Sequence, residues 1–79
     1  LLDADLSILG ASEFEYDAYS EAIRCEYSWL AENDYRTGRR RVLERFLARP
    51  WIFHSATLRV RLECSARSNL RREIALLLE

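Results

Sequence analysis

Residues 57–77 read TLRVRLECSARSNLRREIALL, and the register of this stretch decides the fold class. Its opening, from Thr57 to Leu62, alternates polar and apolar side chains as a half-buried strand would. The longer pattern overrides that reading. Leu58, Leu62, Ala66, Leu70, Ile74 and Leu77 recur at intervals of three and four and line one face of a helix. Ser55 or Thr57 is placed to cap it, because a hydroxyl ahead of the first turn accepts from an N–H that has no helical partner.

Upstream, Trp51-Ile52-Phe53 is a short apolar connector whose rings are expected to plug a gap between helices. Pro50 ends the preceding helix, since the residue before proline is pushed out of helical backbone. That helix runs from about Asp34 or Thr37 to Ala48, with Val42, Leu43, Phe46 and Leu47 on one side. Earlier still, Ser12-Glu13-Phe14-Glu15 has the Ser-x-x-Glu form of a capping box. The helix it opens carries Tyr16, Tyr19, Ile23, Tyr27 and Leu30 at helical spacing and is expected to fade near Asn33. A first helical stub ends at Leu9, with Gly10 suited to the left-handed position beyond a helix end. Four helical segments and no convincing strand predict an all-α fold, a small helical bundle, with residues 1–79 forming a single helical region.

A chain of 79 residues supports at most one small domain, and 49% apolar with 32% charged residues is a globular composition. No apolar run approaches the roughly 20 residues that span a bilayer. A cytoplasmic protein without membrane contact is the expectation. The formal net charge of −1 conceals a strong polarity. Residues 1–35 hold nine carboxylates and only Arg24, whereas residues 36–79 hold eleven arginines and four glutamates. An acidic helix lying against basic ones accounts for this better than a nucleic-acid surface, because general polyanion binding rests on an excess of cations. Arg39-Arg40-Arg41 is the local exception, where guanidinium groups have the geometry to take a phosphate. Cys25 and Cys64 do not form a metal-binding spacing and are expected as small buried core residues.

The start of the chain sets two carboxylates, Asp3 and Asp5, among Leu2, Leu6, Ile8 and Leu9. Carboxylates in apolar surroundings need a counter-charge or a proton. Ala4-Asp5-Leu6 followed by Ile8-Leu9-Gly10 resembles the last metal-ligand motif of the HD superfamily of metal-dependent phosphohydrolases. More narrowly, the chain resembles the C-terminal part of uncharacterised predicted bacterial HD-type phosphohydrolases. The likeness continues in order through Ile23-Arg24-Cys25-Glu26-Tyr27, Gly38-Arg39-Arg40-Arg41-Val42-Leu43 and Ala66-Arg67-Ser68-Asn69-Leu70-Arg71-Arg72-Glu73.

The resemblance implies the C-terminal helices of an HD-domain-like fold, with residues 1–10 as the end of its metal-site helix and residues 11–79 as the helical segment that follows. It implies that Asp5 is a ligand to a divalent metal cation. Asp3 is then a supporting or solvent-facing carboxylate, because side chains two apart on a helix point to different faces. The His and the His-Asp pair that complete such a site would lie upstream. The single histidine, His54, lies far downstream and is not followed by Asp. The chain is therefore expected to be part of a longer protein and to hold metal weakly by itself. The parent's substrate would be a phosphorylated small molecule or a nucleotide, and its partner region a preceding HD segment. If the apolar stub once packed on that segment, the isolated chain should expose it and self-associate. A non-catalytic helical module for protein interaction or self-association is the alternative.

Arg24 and Glu26 are also two apart and cannot pair well with each other, so both need partners elsewhere. Arg67, Asn69 and Glu73 on the last helix are the candidates, forming a polar network that clamps the second helix to the last; Arg24 reaching a substrate phosphate is the alternative. Asn69 with Glu73, and Glu63 with Arg67, are four apart and are expected to support one another.

Overall fold

The structure, a computed structural model, describes residues 6–79. It is all-α, and among the described residues there is no strand. A 3₁₀ turn, Ser7–Gly10, precedes three helices: α1, Glu13–Glu26; α2, Glu32–Ala48; and α3, Ala56–Leu77. The long α3 is the spine, in contact with the 3₁₀ turn, α2 and α1.

The cap of α1 forms where the sequence predicts it, with Ser12 Oγ accepting from the Glu15 N–H at 3.2 Å. The reciprocal half differs from a capping box, because the Glu15 carboxylate accepts from the Ser12 hydroxyl instead of its N–H, at 3.1 Å. The helix then stops well short of Asn33. Tyr27 O accepts the Leu30 N–H at 2.9 Å and the Arg24 Nη1 at 2.9 Å, which turns the chain out of the helical register. Arg24 continues across the corner to Glu32 at 2.9 Å, and α2 begins there instead of at Asp34 or Thr37. Glu32 and Asp34 in its first turn favour the positive end of the helix dipole. Arg49, extended ahead of Pro50, ends α2, and Ser55 caps α3 through the Leu58 N–H at 3.4 Å.

The core joins Leu6, Leu9, Tyr16, Leu43, Ile52, Phe53, Ala66 and Leu70. Burial of one such aliphatic or aromatic side chain stabilises by roughly 1.5–3 kcal/mol, so the connector residues Ile52 and Phe53, with no exposed surface, are structural anchors. Only half of the connector expectation holds, since Trp51 is 51% exposed. Leu6 and Leu9 are buried and Ile8 is packed against the core, so these members of the stub do not form the exposed surface expected of them.

Gly10 has a different role from the one predicted. No glycine has a positive φ among the described residues. Instead, a Cβ at Gly10 would come within 2.7 Å of Leu62 Cβ and 3.1 Å of Leu62 O, so the absence of a side chain lets the turn lie directly on α3. The cysteines also depart from expectation. Cys25 and Cys64 are both exposed free thiols, Cys64 directly after the buried Glu63.

Candidate functional site

Asp3 and Asp5 lie outside the described residues. The structure does describe how the segment leaving Asp5 is held. Leu6 and Leu9 sink into the core, Gly10 rests on Leu62, and the buried Asn69 of α3 donates from Nδ2 to Leu9 O and to Ala11 O, both at 2.9 Å. Asn69 Oδ1 is in turn fixed by Arg72 Nη1 at 2.8 Å. The side-chain amide therefore serves as a bracket between two backbone carbonyls that no helix satisfies.

One turn further along α3 lies the carboxylate of Glu73. Tyr16 of α1 donates its hydroxyl to Oε1, and Arg39 of α2 reaches both oxygens, Nε to Oε2 at 2.8 Å and Nη2 to Oε1 at 3.1 Å. The guanidinium carbon of Arg39 also stands 5.5 Å over the ring of Tyr19, which meets Tyr16 edge-on. Burial pushes the Glu73 carboxyl up, but the bonds from Arg39 and Tyr16 outweigh it and hold the pKa below the ordinary carboxylate range. Burial and the bond to that anion push the Tyr16 hydroxyl well up. Burial pulls the Arg39 guanidinium down, and its bonds to Glu73 more than restore it. The ion pair is thus permanently charged at neutral pH and ties all three helices together. With both oxygens engaged by neighbouring helices, this carboxylate has a structural role.

A clamp between the second helix and the last keeps Glu73 of the expected members, but its partner on α1 is Tyr16 in place of Arg24 or Glu26. Arg24 does not reach α3. It pairs with Glu32 and lies 4.5 Å over the ring of Tyr35. Glu26 is exposed. Asn69 and Glu73 do not support each other, because each is engaged by a different helix or turn. The actual cross-links from α1 to α3 are Tyr16 to Glu73 and Asp17 to Arg72 at 2.8 Å, with Glu13 to Arg72 at 3.3 Å. Acidic α1 does lie against basic α3, as the charge polarity predicts. Arg39 is consumed by Glu73 and is not available to a phosphate in the way its sequence run suggests. Tyr16 and Arg39 were missed as network members; the only signal for them was a tyrosine and an arginine at positions facing the bundle.

Arg67 is the second organiser. Its Nε meets Glu63 at 2.8 Å as predicted, while its Nη atoms take the carbonyls of Leu47, Arg49 and Pro50 at 3.1, 2.8 and 3.2 Å. The buried Glu63 carboxylate accepts the N–H groups of Ile52 and Phe53, at 2.9 and 3.1 Å for Ile52 and 3.3 Å for Phe53. The pair therefore satisfies both the donors and the acceptors of a connector that has no helical bonds of its own.

Among the described residues no group of three His, Cys, Asp or Glu side chains is placed to hold a metal ion. None of the helices is long and apolar enough to cross a membrane. Comparison with protein-family models, with curated proteins and with solved structures finds no match.

Proposed function

We propose that this chain is the C-terminal helical part of a metal-dependent phosphohydrolase of the HD superfamily, and that its bundle holds the Asp5 segment at the metal centre. The observation that supports this reading is the bracket made by Asn69. The first and the last of the segments on which the resemblance rests are about sixty residues apart in sequence, yet Asn69 of the last bonds Leu9 at the end of the first. Asn69, Gly10, Arg39, Arg67 and Glu73, all within those segments, each make contacts that lock helix to helix or turn to helix.

A divalent cation at such a centre supplies Lewis acidity toward a phosphoryl oxygen and toward the attacking water. This chain offers a single ligand, Asp5, and the His and His-Asp ligands belong to the preceding region of the parent. Its own contribution is positional, fixing the backbone that leaves Asp5 against α3.

The test is to extend the coding sequence upstream of Leu1 and to measure metal content and turnover of a generic phosphate ester for the parent, Asp5→Ala and Asp3→Ala. Loss of metal and activity together in Asp5→Ala is expected, with a smaller loss, of about 10–100-fold, in Asp3→Ala. An upstream region without a His and a His-Asp pair, or unchanged metal and turnover in Asp5→Ala, would overturn the reading.

The alternative of an interaction module draws on a different observation. Phe14 and Val60 are 85% and 88% exposed, and Trp29 is also solvent-facing. A helical module that docks on another protein or on its own copy would use such side chains, and a strictly monomeric chain at high concentration would count against it.

A further inference from the structure

The corner where α2 gives way to α3 carries four arginines and no carboxylate between residues 45 and 62, in a chain whose net charge is −1. Most described arginines elsewhere are neutralised: Arg24 and Arg36 by Glu32, Arg39 by Glu73, Arg67 by Glu63 and Arg72 by Asp17. Arg49 and Arg59 are held differently. Arg49 stands 4.9 Å over the ring of Phe46 and donates from Nη1 to Ile52 O at 3.3 Å. Arg59 stands 5.2 Å over the ring of Trp51 and donates from Nε to Phe53 O at 2.7 Å. Both guanidinium groups are thus oriented by a ring and a carbonyl, and among the described residues neither meets an acid.

Between them is an open depression of about 350 Å³ lined by Arg49, Pro50, Trp51, His54 and Arg59. Its size falls at the lower end of the range for small-molecule sites. The depression combines fixed cations, an imidazole and a half-exposed indole, and none of its lining groups is acidic. The floor is rigid, because Ile52 and Phe53 beneath it are fully buried and their N–H groups are held by Glu63.

We propose that this corner binds a phosphorylated aromatic small molecule of the nucleotide class, with Arg49 and Arg59 taking the phosphate and Trp51 stacking on the base. Among the described residues Arg49 and Arg59 each make only one hydrogen bond through the guanidinium, and guanidinium groups with donors to spare bind phosphate by charge-assisted hydrogen bonds, bidentately where geometry permits. Arg59 covers one face of the indole, and the base occupies the other, since stacking on an exposed aromatic ring accepts any base. Pre-orientation by ring and backbone contacts lowers the ordering cost of binding.

The site is tested on this chain without divalent metal, so its outcome is independent of the phosphohydrolase reading. A Trp29→Phe background leaves Trp51 as the sole indole, and its fluorescence is titrated with adenosine monophosphate, inorganic phosphate and adenosine. The monophosphate is expected to quench Trp51 with saturation at about 1 mM or below and to bind about tenfold more tightly than either fragment. Arg49→Gln and Arg59→Gln should each weaken it by about tenfold or more, and added salt should do the same in the unaltered chain. Because Arg49 also holds Ile52 O and Arg59 holds Phe53 O, retention of the helical circular dichroism is checked in each variant, and the salt series on the unaltered chain carries the test if either variant unfolds. No saturable binding of the monophosphate, equal affinity for adenosine, equal affinity for phosphate, or binding indifferent to Arg49→Gln and to salt would overturn the proposal.

Discussion

Replacing Tyr16 with Phe deletes one hydroxyl and keeps the buried ring, so it isolates the bond to Glu73. The acceptor is a carboxylate only 5% exposed. A hydrogen bond to a charged buried group contributes about 1.5–3 kcal/mol, a large share of the roughly 4–12 kcal/mol that about 0.05–0.15 kcal/mol per residue gives for a chain of this size. With a urea slope of about 1 kcal/mol/M for so small a domain, the unfolding midpoint should fall by more than about 1 M. Arg39→Met is the companion. It leaves the Glu73 carboxylate buried with Tyr16 as its main partner, a loss of about 3–5 kcal/mol for a broken buried pair. Because both residues converge on one carboxylate, the double variant should depart from additivity by about 0.5–3 kcal/mol. A Tyr16→Phe change below about 0.5 kcal/mol, the range of an unremarkable surface substitution, would refute the claim that this hydroxyl belongs to a buried network. Strict additivity would refute its being shared.

The two glycines should respond in opposite directions to alanine. Gly10→Ala drives a Cβ to 2.7 Å from Leu62 Cβ and should destabilise by about 1–3 kcal/mol. Gly38→Ala, in the middle of α2 with nothing within 4 Å of the new atom, should stabilise by about 0.5–1 kcal/mol and raise the thermal midpoint by several degrees. Calorimetry of both variants checks the pair, and a neutral Gly10→Ala would show that the turn is not tightly seated on α3. Stability should also fall in acid through Glu73. Its pKa is depressed in the folded chain, so its contribution is fully present above the unfolded value of about 4.3 and is lost as pH drops through the folded value. Urea unfolding at descending pH should therefore show a loss in the unaltered chain that Glu73→Gln lacks; parallel curves would contradict the assignment.

The sequence made α3 legible because twenty residues of unbroken periodicity outweigh a six-residue alternation, and Ser12, Pro50 and Ser55 mark ends through local backbone chemistry alone. The end of α1 was not legible, because Tyr27 and Leu30 satisfy the helical period while Arg24 and a tight turn compete for the same carbonyl. Gly10 gave the right residue for the wrong reason: its need is tertiary, a close approach to Leu62, and sequence carries no sign of that. Glu63 with Arg67 could be read from their spacing, whereas Glu73 finds its partners on two other helices. The cysteines illustrate the limit of an average tendency, since a residue type that is often buried is exposed here at both positions.

If the chain is the C-terminal part of a longer metal-dependent phosphohydrolase, as proposed above, Asn69 helps hold the segment that follows Asp5, and the dissociation constant of the divalent metal in that proposed parent tests it. Asn69→Ala, verified as folded by circular dichroism, removes the bonds to Leu9 O and Ala11 O without touching a ligand. The account predicts metal binding weakened by about tenfold or more, as for other changes to groups that orient ligands, with Asp5→Ala weaker still. Metal affinity in Asn69→Ala equal to that of the unaltered parent would contradict it.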